Sequence, residues 1–176
     1  MRKPPTYINR GYFYMNTKSI NIKNHTQSLK FLEGFKNKNY GKVDIKIENL
    51  HLNQLNELLG KRIFKKNDAY ISAETLWELM QPIGQKKQHN YHGFSPNDIL
   101  EILGSLINPY CILKTYINRF TIISSIILNK TRILTIVEIN AALSKNKAAK
   151  INKIVTIYPK DHIDQYIGKR TILYLK

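Results

Sequence analysis

A chain of 176 residues with 28 Lys and Arg against 12 Asp and Glu carries a formal net charge of +16, which favours polyanionic partners such as nucleic acid, an anionic membrane surface or an acidic protein. The length suits one domain plus an extension rather than two domains, and the heavy use of Ile, Asn and Lys explains part of the charge without any ligand. The single cysteine, Cys111, excludes an intramolecular disulfide framework, and no stretch reaches the roughly 18 consecutive apolar residues of a membrane-spanning helix.

Tyr, Asn and Lys stand near the N-terminus where a secretory signal would carry its apolar centre. The expectation is a cytoplasmic protein, or one delivered into a target cell's cytoplasm. Residues 1–42 set many cations against one acid, Glu33, and contain Pro4-Pro5. They read as a basic extension, either a flexible arm that adds phosphate contacts or poorly ordered chain. Leu29, Phe31, Leu32 and Phe35 suggest a short helix started by Ser28.

The folded domain is expected over residues 43–176. Val43, Ile45 and Ile47 alternate with Asp44, Lys46 and Glu48, the period of a half-buried strand. Leu50, Leu52, Leu55, Leu58 and Leu59 then recur with helical spacing, and Gly60 stands where a helix would end. Lys61, Arg62, Lys65 and Lys66 follow as a basic cluster. Cations there suit the negative end of a helix dipole, and nucleic-acid phosphate is the rival explanation. After a short extended segment, Asp68 to Ile71, Ser72 is a good N-cap for a helix over Ala73 to Met80 that Pro82 ends.

Residues 83–94 are polar, glycine-bounded and basic, with Lys86, Lys87, His89 and His92, the composition of a surface loop. Lys86 and Lys87 join the candidate nucleic-acid contacts. Ser95, Pro96 and Asp98 mark a capping box, and Ile99, Leu100, Ile102, Leu103 and Leu106 give the helix a buried face. Strands are predicted at Tyr110 to Tyr116, Phe120 to Leu128, Arg132 to Asn140 and Ile151 to Tyr158. A helical turn or two at Asp161 to Ile167 and a closing strand at Thr171 to Leu175 complete the chain. The expected fold is α+β, with N-terminal helices packed on a four- to five-stranded antiparallel sheet.

His89 and His92 lack the Cys pair or third His that a tetrahedral zinc site needs, and the carboxylates are too dispersed for a magnesium centre. No metal and no cofactor is expected. Metal-free RNA cleavage needs a base for the ribose 2′-hydroxyl, an acid for the leaving oxygen, and cations around the developing phosphorane. His89 or His92 suits the proton transfers. Lys114, Arg119 and Lys160 suit charge stabilisation, and Thr156 and Tyr158, alternate residues of one strand, suit hydrogen-bond donation. Each has an ordinary structural explanation as well: a solvated loop histidine, edge-strand lysines, and Glu138 paired with a cation across strands.

His92 before the helix, Leu106-Ile107-Asn108-Pro109-Tyr110-Cys111-Ile112-Leu113-Lys114, Glu138-Ile139-Asn140, Ile154-Val155-Thr156-Ile157-Tyr158-Pro159-Lys160 and Leu173-Tyr174 together resemble a phage-encoded family. These are the barnase, EndoU, colicin and RelE-like nuclease domains at the C-terminus of some phage head-morphogenesis and polyvalent proteins. The resemblance covers roughly residues 68 to 176. It implies an RNase-like fold and an RNase-like or toxin-like role with RNA as substrate; tRNA is a candidate substrate, and an acidic antitoxin or immunity protein a candidate partner. By that resemblance His92, Lys114 and Thr156 are catalytic, with His89, Glu138, Tyr158 and Lys160 as neighbours; Arg119 joins the neighbours for its charge. The alternatives are a non-catalytic nucleic-acid binder and a module that meets an acidic protein.

Overall fold

A computed structural model describes residues 19–35, 43–83, 91–144 and 146–176. The first described element is a short strand, β1 (Ser19–Asn21), followed by helix α1 (His25–Phe35) and strand β2 (Asp44–Glu48). Helix α1 starts earlier than expected because Asn24 takes the capping role, its Oδ1 accepting the Gln27 amide at 3.2 Å. Ser28 lies inside the helix, and its hydroxyl accepts the Asn21 amide at 2.9 Å and donates to the Asn21 carbonyl at 2.8 Å. That clamp ties the helix to the end of β1.

A short 3-10 turn leads into α2 (Leu55–Leu59), which ends at Gly60 in the left-handed conformation, φ 60°. Asn56 then organises the following segment: its Oδ1 accepts the Ile63 and Phe64 amides at 2.8 and 2.9 Å, and its Nδ2 donates to the Phe64 carbonyl at 3.0 Å. Strand β3 (Ala69–Ser72) runs into α3 (Ala73–Met80), where the Ser72 hydroxyl accepts the Thr75 amide. Helix α4 (Pro96–Ser105) carries the capping box in full, with the Asp98 amide donating to Ser95 Oγ and the Ser95 amide to Asp98 Oδ2.

The C-terminal half contains β4 (Pro109–Lys114), β5 (Arg119–Leu128), β6 (Thr131–Ala142), β7 (Lys150–Lys160), α5 (Ile163–Gly168) and β8 (Thr171–Leu175). Asn129 and Lys130, at φ 48° and 67°, form the tight turn between β5 and β6. Two successive left-handed residues match the twist of the flanking strands.

The expected four- to five-stranded antiparallel sheet is corrected here. The described residues form one eight-stranded mixed sheet in the order β1-β2-β3-β7-β6-β5-β4-β8, with five helices distributed along the chain. Two pairings are parallel, β1 with β2 and β3 with β7. The second joins Ala69–Ile71 to Asn152–Ile154, segments far apart in the chain, and local periodicity does not encode such a partnership. Within the stretch expected as an extension, Ile20, Phe31, Leu32 and Phe35 are core residues, so 19–35 contribute to the same sheet and core as the rest. Burying a Leu or Phe of this kind stabilises by about 1.5–3 kcal/mol, enough to offset the polar composition around them.

One sheet face packs against helices α1, α3 and α4 in a core that includes Leu32, Leu76, Ile99, Leu103, Phe120, Val137 and Ile154. The opposite face carries a smaller core of Cys111, Leu113, Ile123, Leu134 and Ile167, covered by α5 through Ile163, Tyr166 and Ile167. Burial pushes the Cys111 thiol up to about 11, as befits an inert core cysteine. Among the described residues no helix is long and apolar enough to cross a membrane.

Candidate nucleic-acid interface

Strand register assigns the polar side chains to faces. Leu113, Thr121, Ile136 and Thr156 are successive partners across β4, β5, β6 and β7, and Leu113 belongs to the small core under α5. Directly opposed residues share a face, so Thr156 lies on the α5 side. Lys114 stands in the row of Phe120 and Val137, on the other side. His92 is held near the helical core as well. Its neighbours Gly93 and Phe94 donate their amides to the Gln81 and Leu79 carbonyls at 2.8 and 3.0 Å, and its ring lies 5.5 Å from that of buried Phe94.

The sheet therefore separates Thr156 from Lys114 and His92. His92 is half-buried with Nε2 unpartnered, and burial holds its pKa below the ordinary 6.5. Thr156 Oγ1 is also buried without a partner, while Lys114 is exposed at a strand end. His89, Lys86 and Lys87 lie outside the described residues.

Arg119 and Glu138 face each other on the α5 side, with Arg119 Nε 2.7 Å from Glu138 Oε2. They end a row that continues through Lys153, Tyr70, Lys46 and Ser19 across six strands. Its cations are matched by acids: Lys153 sits 2.9 Å from Asp44, whose side chain is almost wholly buried, and Lys46 sits 3.0 Å from Asp68. Burial alone would raise the Asp44 carboxyl, but the Ser144 amide at 2.6 Å and Lys153 outweigh it and hold the carboxyl below its ordinary value. This row is self-neutralising and offers phosphate little net attraction.

A surplus of positive charge stands at the other end of β7. A pocket of about 550 Å³ is lined by Pro159, Lys160, Asp161, His162, Gln165, Tyr166, Lys169 and Arg170. Three cations there face one acid. The chain turns from β7 into α5 at His162, whose left-handed backbone, φ 51°, is uncommon for a residue with a side chain. Buried Ile167 anchors α5 to the sheet, which fixes Tyr166 and Arg170 beside the strand. The Arg170 guanidinium stacks 3.5 Å over the Tyr166 ring, its Nη1 donates to the Tyr166 carbonyl at 3.0 Å, and Lys160 Nζ lies 5.9 Å from the same ring.

Beside the pocket, Arg132 is the cross-strand partner of Lys160 and stacks 3.9 Å over Tyr110. Tyr158 reaches the Tyr166 hydroxyl at 3.3 Å; burial and that contact push its own hydroxyl well above the ordinary tyrosine range, so it remains a neutral donor and acceptor. Cations stacked on aromatic rings, with donors left over, are suited to phosphate and to exposed bases.

Tyr158 and Lys160 are thus the sequence-derived residues that lie in or beside the pocket. Arg132, His162, Tyr166, Lys169 and Arg170 were not among the candidates. The spacing of Tyr166 and Arg170, four apart at a helix end, was an available signal, whereas Arg132 required knowledge of the β6–β7 register. Lys61, Arg62, Lys65 and Lys66 are exposed between α2 and β3. The Lys66 carbonyl accepts from Asn152 at 2.8 Å, which attaches that segment near the opposite end of β7. At about 3.3 Å per residue, the eight steps from Asn152 to Lys160 span roughly 26 Å, so two basic patches stand apart along one strand.

Among the described residues no group of three or more His, Cys, Asp or Glu is placed to hold a metal ion. No protein-family model matches the chain, and neither a curated protein nor a solved structure matches it.

Proposed function

We propose that the protein binds RNA through its phosphate backbone at the β7–α5 pocket. The observation that carries this reading is the gathering of Lys160, Lys169 and Arg170 around one cavity, with the Arg170 guanidinium stacked on Tyr166. Each cation that neutralises a phosphate releases a counterion, so affinity should fall steeply with salt. Arg132 and Tyr110 extend the surface along the sheet, and the Lys61 to Lys66 segment offers a second, distant contact for a longer strand. Fluorescence anisotropy of a labelled single-stranded RNA across a salt series tests the proposal; salt-independent or absent binding opposes it.

A second reading, metal-independent RNA cleavage, is favoured by one observation: His162 lines the same pocket as the cations. The resemblance of residues 68–176 to phage nuclease domains points the same way. In this reading His162 accepts the ribose 2′-hydroxyl proton, the 2′-oxygen attacks phosphorus, and Lys160 and Arg170 stabilise the phosphorane. The bond from phosphorus to the 5′-oxygen breaks, that oxygen takes a proton from solvent water, and His162 returns its proton to solvent, leaving a 2′,3′-cyclic phosphate and a free 5′-hydroxyl. The dispersal of His92, Lys114 and Thr156 over two faces removes support from cleavage by that trio. RNA incubated with the protein in EDTA should yield cyclic-phosphate ends that His162→Ala abolishes; intact RNA that still binds leaves binding alone.

A further inference from the structure

Among the described residues strand β8 is the last strand of the sheet, paired on one side with β4. The Lys176 amide donates to the Tyr110 carbonyl at 2.9 Å. Because successive amides in a strand point to opposite sides, the Leu175 amide faces outward from the sheet. The segment Thr171-Ile172-Leu173-Tyr174-Leu175 contains neither proline nor charge; its pairing with β4 skips Leu173, a bulge that leaves Tyr174 to Lys176 as the regular part of the open edge. Ile172 and Leu175, partners of Leu113 and Cys111, are 46% and 50% exposed on the α5 side of the sheet. An open hydrogen-bonding edge and apolar side chains thus coincide.

The flanking charges select the occupant. Lys169 and Arg170 precede the strand, Lys176 follows it, Lys114 is the cross-strand partner of Thr171, and no acid lies between Lys169 and Lys176. A second copy is disfavoured, because an antiparallel pairing of two β8 strands centred on Leu173 sets Arg170 of one copy opposite Lys176 of the other, and opposed like charges destabilise. We infer that the β8 edge takes an extended acidic segment of another protein, with alternating apolar and carboxylate side chains, added as a further antiparallel strand. Main-chain hydrogen bonds hold the segment, Ile172 and Leu175 receive its apolar side chains, and its carboxylates meet the flanking cations. This edge adjoins the β7–α5 pocket and shares Lys169 and Arg170 with it, but Lys176, Lys114 and the β8 backbone lie outside that pocket, so protection of β8 and the effect of Lys176→Glu are read independently of RNA binding.

The test uses the full chain and a short fluorescein-labelled peptide alternating valine and glutamate, with a valine–lysine peptide as control. The expected result is saturable binding of the acidic peptide alone, with slowed amide exchange at Leu175. Leu175→Pro, which removes an outward donor and no bond to β4, should weaken binding about tenfold, the loss of roughly one interface hydrogen bond. Lys176→Glu, which leaves the backbone untouched, should also weaken it. Absence of binding, binding without protection of β8, or binding unaffected by Lys176→Glu would overturn the inference. So would concentration-dependent dimerisation of the free protein that slows exchange at the same amide.

Discussion

Arg170 holds Tyr166 in two ways, stacking its guanidinium 3.5 Å over the ring and donating from Nη1 to the carbonyl at 3.0 Å. The arrangement fixes a normally flexible cation at the pocket wall before any ligand arrives, so less side-chain entropy is lost on binding. Arg170→Lys keeps the charge and loses the planar stack. We expect that variant to bind single-stranded RNA more weakly than the parent by about 1 kcal/mol, in the range of exposed cation–π contacts, and an anisotropy titration at fixed salt measures it.

His92 should be dispensable for RNA binding, because it sits on the helical side of the sheet near Phe94 and away from the pocket. Its pKa is depressed by burial below 6.5, so the unfolded chain binds the proton more readily than the folded one. Stability should therefore fall as pH drops below 6.5 and level off once pH passes the lower folded value. His92→Gln should remove this part of the pH dependence while leaving RNA affinity unchanged, as chemical denaturation at several pH values and a binding titration would report.

Asp44 titrates in a different window. Its folded carboxyl lies below the ordinary 3.8, so its contribution is present above that value and is lost as pH falls through the folded pKa. Asp44→Asn should flatten the acid limb of the stability profile. At neutral pH it leaves the partly buried Lys153 ammonium without its counterion; the cost should reach about 2–3 kcal/mol, below the 3–5 of a fully buried broken pair.

Asn56 makes a prediction about folding that bears on the second basic patch. Its side chain satisfies the Ile63 and Phe64 amides and the Phe64 carbonyl, and Phe64 is fully buried. Asn56→Ala should destabilise by about 2–3 kcal/mol, since buried backbone groups lose their partners. Urea denaturation checks it. A loss under about 0.5 kcal/mol, the range of an ordinary surface substitution, would contradict the role.

Local chemistry was legible in the sequence and long-range pairing was not. Ser72, Ser95 with Asp98, and Gly60 announced helix ends that the structure contains, because a cap acts within three or four residues. The runs that became β4 to β7 were readable from their apolar length, although β6 continues to Ala142. By contrast β1 has three residues, too few to display a period, and β3, readable as the short extended segment Asp68 to Ile71, gave no sign of its parallel partner, which like that of β1 lies at a distance in the chain. The site divided in the same way. Tyr158 and Lys160 belong to one strand and could be grouped by alternation, whereas Arg132 joins Lys160 only through register, and Tyr166 with Arg170 only through the docking of α5. Faces decided the rest: Thr156 and Lys114 both punctuate apolar strands, yet opposite parity relative to the core places them on opposite sides of the sheet.

The most direct test measures RNA affinity against salt concentration for the parent protein and for Lys160→Ala and Lys169→Ala, whose lost side chains line the pocket without entering either core. For a single strand each removed phosphate contact should reduce the slope of log affinity against log salt by about 0.7. A weaker affinity at low salt and a shallower slope in both variants are the expected result. Affinity and slope equal to those of the parent would contradict the assignment of RNA phosphate to the β7–α5 pocket.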